Sequence, residues 1–560
     1  MRAICFFTCC LIMLFMSVEL AMGGTHVFRW EVTKIPWSPD GVNGSILAIN
    51  GTFPGPTIKV VAGDNIVVNL TNRLETEGLT IHWHGIRQFG TPWADGASSI
   101  SQCPIKSGGT FTYNFKVDKA GTYFYHAHHK MQRTGGLYGL LIVDDVAEKQ
   151  KIVHYDDELN LLLSDWWHKS YEQQEIDLDS NPTIWVGEPQ SLLINGRGQY
   201  NCYLAASVSN STARPPCEFS GNEQYAPDIL YVKPNQTYRL RIASTTSLAA
   251  LSFAVGNHKL QVIEADGNLV EPFVVDSLYI YPGQTYSILI HTNQTPSSYW
   301  VSVDSIGRHP NTTQGLTILT YSTNHLPSSP PPVPPAWNDF NSSKSFANKI
   351  FALAGSPTPP TNPNRTIQLL NTQNFVDGRT RWALNNVSLV LPDTPFLASI
   401  KYNLPYDKKS PPENFNNGYN IMIPAENQNA SYGSGVYKLS YGETVDIILQ
   451  NANALKANVS EVHPWHLHGH DFWVLGYGEG RFSYEKDMAS LNVKNPPLRH
   501  TEAIFPYGWT ALRFVADNPG VWIFHCHIEP HTGTGMAAVF AEGVEKIGDI
   551  PVDIGRECGH

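Results

Sequence analysis

Basic residues are in short supply in this chain: 38 Lys and Arg face 49 Asp and Glu over 560 residues, a formal net charge of −11. Neutralising a nucleic-acid backbone takes a basic surface, so that class of partner is excluded, and the acidic excess reads as a solubilising surface. Long apolar runs are missing too, except at the start. Ala3 to Val18 is nearly all apolar behind Arg2, and Ala21-Met22-Gly23 offers small residues for cleavage, which reads as a secretory signal over residues 1–23. That run is shorter than the roughly 20 apolar residues of a bilayer span. No later segment comes close and Asp549 to His560 is polar, so neither a membrane helix nor a lipid-anchor tail is expected, and the mature chain should be soluble and secreted. Cysteine is scarce as well: of eight, Cys5, Cys9 and Cys10 fall in the signal and five remain. Five is an odd number, so one thiol has work other than a disulfide.

Long stretches of helical period are also rare, and the punctuation is that of strands. Ile58 to Leu70, Gly109 to Val117, Gly121 to His126 and Leu137 to Val143 are short alternating or apolar runs bounded by Gly, Pro and Asn. One phrase recurs, as Lys59 to Asp64, Tyr231 to Thr237 and Tyr437 to Thr444, each reading as strand, turn, strand. Residues 24–560 are too many for a single core, and three copies of the phrase parse into three β-sandwich domains, 24–146, 147–325 and 338–560, in an all-β fold. The proline-rich Ser328 to Pro335, within residues 326–337, reads as an extended linker.

Histidine is present in patterns. His525-Cys526-His527 is followed by His531 and Met536. Successive strand residues point to opposite faces, so Cys526 faces one way and its two neighbours the other, and one strand serves two metal sites. A thiolate, two imidazoles and an axial methionine make the blue-copper pattern, with Cys526, His531 and Met536 supplying all but one imidazole. His463-Pro464-Trp465-His466-Leu467-His468 provides that one and leaves two over, while His82-Trp83-His84 and His126-Ala127-His128 each set two imidazoles on one strand face. A single His-x-His is as readily a surface or core pair. Four such segments, one with cysteine and a correctly spaced methionine, point to copper. Cys526 is then the odd thiol, and Cys103, Cys202, Cys217 and Cys558 allow three pairings, of which Cys202 with Cys217 closes a short local loop.

Together with Asn50-Gly51-Thr52-Phe53-Pro54-Gly55-Pro56 and Trp93-Ala94-Asp95-Gly96, these motifs make the chain resemble the multicopper oxidases from about Thr25 onward. Within that family it is most similar to the plant enzymes that oxidise ascorbate. The resemblance implies cupredoxin-like Greek-key sandwiches and four coppers per chain. One is a mononuclear blue copper on His463, Cys526, His531 and Met536. The others form a trinuclear cluster in which His82 and His466 hold a lone copper and His84, His126, His128, His468, His525 and His527 a coupled pair. It also implies a Cys103–Cys558 bridge, an extracellular place in the apoplast or cell wall, and a homodimer. A further bridge of such relatives has Val42 and Tyr225 where its cysteines would stand.

The expected reaction is one-electron oxidation of ascorbate at His531 coupled to four-electron reduction of dioxygen, with electrons passing from Cys526 to its flanking histidines. Trp185 and Trp382 match positions where the plant enzymes place substrate-contacting rings; otherwise each reads as core filling. Asp95 is expected to assist proton delivery, against the reading of an aspartate ending a turn before Gly96. Thr532-Gly533-Thr534 departs from the bulkier run of the plant enzymes, so turnover could differ. Phenol oxidation of the laccase kind, or a wall protein that has lost catalysis, are the alternatives. Sequons at Asn43, Asn210, Asn235, Asn293, Asn311, Asn341, Asn364, Asn386, Asn429 and Asn458 are expected to carry glycan, with Asn50 and Asn69 the ones expected to be skipped.

Overall fold

The recurring phrase is a crossover from one sheet to another, and a left-handed residue makes each turn: Gly63, Asn235 and Gly442 have φ of 100°, 57° and 81°. Glycine and asparagine reach that region at least cost, which is why these two types stand there. In the computed structural model, which describes residues 23–145, 154–201, 227–308, 312–321, 327–425, 430–555 and 558, each copy does the same thing. Ile58–Val61 runs parallel to Tyr138–Asp144, and after the turn Asn65–Asn72 runs parallel to Thr25–Trp37 in the facing sheet. Ile229–Tyr231 and Thr237–Ser244 repeat this against Gly315–Thr320 and Asp157–Trp166. Val436–Leu439 and Thr444–Asn451 do so against Ala537–Glu542 and Arg365–Val376. Side-chain oxygens finish the turns, Asp64 Oδ2 accepting from Val61 N at 2.9 Å and Glu443 Oε2 from Ser440 N at 2.8 Å.

The result is three sandwiches, with paired sheets of four and four, six and five, and eight and five strands among the described residues. Asn65–Asn72 shows the period-two pattern plainly, Ile66, Val68 and Leu70 turned into the core and the residues between them half-exposed. Each such side chain contributes roughly 1.5–3 kcal/mol on burial. The middle sandwich has its own core around Leu240, Phe253 and Ile288. The outer two share one, running from Trp30 and Val68 through Trp465 to Phe524 and Phe540. Helices are short, those at Tyr171–Asp179 and Phe340–Ala347 capped by Ser170 and Asp339.

Charged pairs bind the sandwiches at their seams: Arg241 to Asp144 at 3.0 Å, Arg499 to Asp266 at 2.9 Å, and Lys119 to Asp471. Residues 327–336 form neither strand nor helix and lie along the middle sandwich, with Trp300 Nε1 donating to the Ser329 carbonyl at 3.0 Å. Cys103 is joined to Cys558, Cα to Cα 5.1 Å, and Cys526 is free and buried. Asn43, Asn235, Asn293, Asn341, Asn364, Asn386 and Asn458 are exposed. Asn50 is exposed with its amide tied to Arg29 O and Glu31 N, and Asn69 is half-buried within a strand. Cys202, Cys217, Asn210, Asn311, Asn429 and residues 1–22 of the expected signal lie outside the described residues.

Candidate metal centres

Two antiparallel strand pairs deliver the histidines. His463–Leu467 pairs with Gly520–Cys526, Trp465 opposite Cys526 and His466 opposite His525. Ile81–His84 pairs with Gly121–Ala127, His82 opposite His126. Gly96 permits the close approach of the turn after Asp95: at φ 81° a Cβ there would lie 1.8 Å from the Ile81 carbonyl oxygen.

The first set gathers at Cys526. His463 Nδ1 and His531 Nδ1 stand 3.8 and 3.7 Å from Cys526 Sγ and 3.2 Å from each other. Met536 is fully buried, its carbonyl accepting from Cys526 N at 3.1 Å and its own N donating to the His531 carbonyl at 3.0 Å.

The second set is three groups. His82 Nε2 faces His466 Nε2 at 3.3 Å. His84 Nδ1 lies 3.4 Å from His126 Nε2 and 3.2 Å from His527 Nε2. His525 Nε2 lies 3.4 Å from His128 Nε2 and 3.2 Å from His468 Nε2. Within each group the ligand atoms are within 4.8 Å of one another, and His84 reaches the His82–His466 pair as well. Every group draws from both outer sandwiches.

For five of the eight histidines of this cluster the ring proton is spent elsewhere. His82 Nδ1 donates to the Asp95 carbonyl at 2.8 Å, His466 Nδ1 to the His500 carbonyl at 2.7 Å, His126 Nδ1 to the Ala127 carbonyl at 2.8 Å, and His525 Nδ1 to the Cys526 carbonyl at 2.9 Å. His468 Nδ1 donates to Asp95 Oδ2 at 2.8 Å. The Nε2 atoms of His82 and His466, and those of His468 and His525, therefore aim lone pairs at one another, an arrangement that repels unless a cation stands between them. Imidazole nitrogens and a cysteine sulfur are a donor set that suits copper.

The electrostatics agree. Burial, then the neighbouring imidazoles, hold His84, His128, His466 and His468 well below the ordinary histidine value; burial, then Arg133, does so for His126 and His527. Burial, then His463, holds His531 well below it, and His463 and His525 are lowered to about 3. All nine are neutral at physiological pH, the form that binds metal. Burial pushes the Cys526 thiol up instead, so only a bound cation makes its thiolate favourable.

Asp95, fully buried, touches two of the groups. Besides its bond to His468, its Oδ1 is 3.2 Å from His82 Nδ1, whose hydrogen goes to the backbone, so that oxygen has no hydrogen bond of its own among the described residues. Asp95 also ends the turn Pro92–Ala94, its N–H donating to Pro92 O. Over His531, Trp185 is 37% exposed with ring centroids 5.6 Å apart. Trp382 is 3% exposed and packs 4.8 Å from His531 and 4.9 Å from His463, so it supports the two rings and Trp185 presents the open face.

Several residues at these sites carry no sequence pattern of their own. Glu461 Oε2 lies 3.6 Å from His531 Nε2, and Arg308 bridges Glu461 and Glu188. Arg133 donates to the His527 carbonyl at 2.6 Å, while Glu529 accepts from Arg133 N, Thr134 N and Ser247 Oγ at 3.1, 2.9 and 3.0 Å, knitting all three sandwiches beside the cluster. Thr501 Oγ1 is 3.2 Å from His84 Nε2, and the His500 ring is 4.8 Å from that of His84. Glu461 and Glu529 each stand two residues from a motif histidine, the one clue available; His500, a lone histidine, offered none. A cavity of about 390 Å³ lined by His128, His525, Glu529, Thr532 and Arg381 reaches the cluster, and the Thr532 hydroxyl bonds the Cys526 carbonyl.

Comparison with known proteins gives the same reading. Family models described as multicopper oxidase match residues 31–148, 157–324 and 403–546. The chain is 59% identical over 540 residues to an L-ascorbate oxidase of Nicotiana tabacum, covering 96% of this chain and 93% of that protein. It is 33% identical to Laccase-12 of Arabidopsis thaliana, covering 88% of each. A laccase from Botrytis aclada, of known structure, superimposes with a TM-score of 0.77 at 28% identity, covering 96% of this chain and 92% of that one.

Proposed function

The chain belongs to the multicopper oxidase family, and from that premise we propose that it oxidises L-ascorbate one electron at a time and reduces dioxygen to water. The observation that carries this is the placing of Cys526, whose sulfur lies in one donor set while His525 and His527, bonded to it through the backbone, lie in the other. Bound copper supplies a one-electron acceptor on His463, Cys526, His531 and Met536, and four-electron reduction of dioxygen on His82, His84, His126, His128, His466, His468, His525 and His527, four ions per chain. Four ascorbate monoanions each give up an electron and a proton, and dioxygen takes four of each to become two waters.

The residues divide that work. Trp185 offers a planar face on which the enediol ring packs beside His531, and Trp382 holds His531 and His463 from within. Glu461, at the same mouth, accepts the proton that leaves with the electron. Asp95 orients His468 and, through its unshared oxygen, hands protons to the cluster. The share of identity favours ascorbate over phenols, 59% against 33%. A wall protein without catalysis is disfavoured because all twelve positions are filled and buried apart from His128, which is half-buried.

The domains run 24–146, 147–325 and 338–560, with 326–337 as linker. After loss of residues 1–23 the protein is secreted, with glycan on exposed asparagines such as Asn43, Asn235 and Asn341, a second bridge between Cys202 and Cys217, and a homodimeric state in the apoplast. Oxygen uptake with ascorbate compared with catechol tests the substrate; a strong preference for catechol would overturn it. In the anaerobic protein, ascorbate should bleach the blue colour and oxygen restore it.

A further inference from the structure

Five cluster histidines bond outward through Nδ1, but His84 is turned the other way. Its Nδ1 is the atom that faces His126 Nε2 and His527 Nε2, at 3.4 and 3.2 Å. A neutral imidazole carries its single hydrogen on one nitrogen, so Nδ1 offers a lone pair only while the hydrogen sits on Nε2. That hydrogen has a competing place. His126 Nδ1 donates to the Ala127 carbonyl, which leaves a lone pair on His126 Nε2 ready to accept from His84 Nδ1. The metal-binding tautomer of His84 therefore needs an acceptor at Nε2.

One hydroxyl stands there. Thr501 Oγ1 lies 3.2 Å from His84 Nε2, both residues are fully buried, and that nitrogen has no other hydrogen-bond partner among the described residues. The same oxygen is 3.1 Å from His466 Nδ1 and 3.1 Å from His500 Nδ1. A hydroxyl has two lone pairs and one hydrogen. His466 Nδ1 carries a hydrogen, since it donates to the His500 carbonyl at 2.7 Å, so toward that ring Oγ1 is an acceptor. If Oγ1 gives its own hydrogen to His500 Nδ1, a lone pair is left for the His84 Nε2 hydrogen and all three contacts are satisfied at once. The reverse assignment, with the hydroxyl donating to His84 Nε2, puts hydrogen on His84 Nδ1 and removes a lone pair from the group it forms with His126 and His527.

The hydroxyl is held in place by its own backbone. Thr501 begins the strand Thr501–Ile504 and lies opposite His466 in the sheet. Its N–H donates to Asp266 Oδ2 at 3.2 Å and its carbonyl accepts from Gln284 Nε2 at 3.4 Å, both residues of the middle sandwich. The His84 ring stacks on His466 and Phe124, centroids 3.8 and 4.3 Å away, which hinders the half-turn that would exchange its nitrogens. We propose that Thr501 is a positioning residue that fixes the tautomer of His84, keeping its hydrogen on Nε2 so that Nδ1 ligates copper. Through Asp266 and Gln284 the middle sandwich, which supplies no ligand, helps to set which nitrogen of His84 does so.

Thr501→Val, which matches the shape without the hydroxyl, and Thr501→Ser, which keeps the hydroxyl, separate this role from packing. In chelator competition on the copper-loaded protein, Thr501→Val should hold cluster copper about tenfold more weakly, the low end of what losing a group behind a ligating histidine costs. Thr501→Ser should stay within about threefold of wild type, and both should keep the blue colour of the Cys526 site. In the copper-free full chain, nitrogen NMR of labelled histidine rings, with His84 assigned through His84→Gln, should find hydrogen on Nε2 in wild type and Thr501→Ser and on Nδ1 in Thr501→Val. The wild-type spectrum decides even where the valine variant does not fold. Hydrogen on His84 Nδ1 in wild type, a serine variant as weak as the valine one, or equal copper affinity in wild type and Thr501→Val would each overturn the proposal. The inference rests on the histidine cluster holding copper; a wild-type chain that takes up none there overturns that reading and this one with it.

Discussion

Replacing Asp95 with asparagine keeps the shape and the turn but removes a buried charge held between two donor groups. Asp95 Oδ2 accepts from His468 Nδ1 at 2.8 Å, and the bond would survive as a neutral one. Hydrogen bonds to a charged partner contribute about 1.5–3 kcal/mol and neutral ones about 0.5–1.5, so about 1 kcal/mol of orientation is lost at His468. Removing the carboxylate behind a ligating histidine costs 10–100-fold in metal affinity, about 1.4–2.8 kcal/mol, so the lost orientation accounts for part of that cost and the lost charge for the rest. Copper at the histidine cluster should therefore be lost to a competing chelator 10–100-fold more readily, while the Cys526 site, which Asp95 does not touch, keeps its colour. Loss of the titratable oxygen should also slow reoxidation by dioxygen, increasingly as pH rises and protons become scarce, with bleaching by ascorbate unchanged. Stopped-flow reoxidation from pH 5 to 8, with the chelator titration alongside, reads both. Wild-type reoxidation across that range together with wild-type affinity would leave Asp95 only its role in ending the turn Pro92–Ala94.

Cys526→Ser should abolish the blue absorption and turnover with folding intact, because a hydroxyl is a hard, poorly ionised donor; normal turnover would refute the electron path. His128→Ala should give the reverse, a blue protein bleached by ascorbate and restored slowly by oxygen, and unaffected reoxidation would remove His128 from the cluster. Trp185→Ala should leave the colour and raise KM for ascorbate roughly tenfold, the loss of about 1–1.5 kcal/mol of aromatic packing, and an unchanged KM would move the substrate elsewhere. His463 and His525 are lowered to about 3, whereas in the unfolded chain they titrate near 6.5. Between those values the unfolded state binds more protons, so stability of the copper-free protein should be full above pH 7. It should fall on acidification by up to about 1.4 kcal/mol per pH unit for each. Thermal midpoints equal at pH 7.5 and 5 would contradict this.

How much of this can be read in the chain depends on the range of the interaction. The ten histidines and Cys526 are legible because ligand spacing on a strand is a local property: His525, Cys526 and His527 must alternate wherever the strand lies. The three sandwiches are legible for the same reason, since Gly63, Asn235 and Gly442 mark equivalent turns by backbone need alone. Glu529 is not, because its partners Arg133 and Ser247 are 396 and 282 residues away and meet it only when three sandwiches dock. Nor is the difference between Trp185 and Trp382: their neighbours in sequence do not mark it, and packing decides that the first, in the irregular stretch 183–189, is open and the second, within the strand Arg379–Leu384, is closed.

Because each of the three histidine groups draws on both outer sandwiches, a bound ion belongs to neither alone and acts as a ligand of their docked state. Docking and loading are then linked equilibria: with free copper at a thousandfold above its Kd, each such site adds about 4 kcal/mol to holding the seam closed. Copper is in this sense a mechanical fastener as well as a redox group. The middle sandwich, with a core of its own, has no such dependence. Withdrawal of metal should loosen the molecule first along the line between His82 and His466, where the two outer sandwiches face each other across the lone pairs.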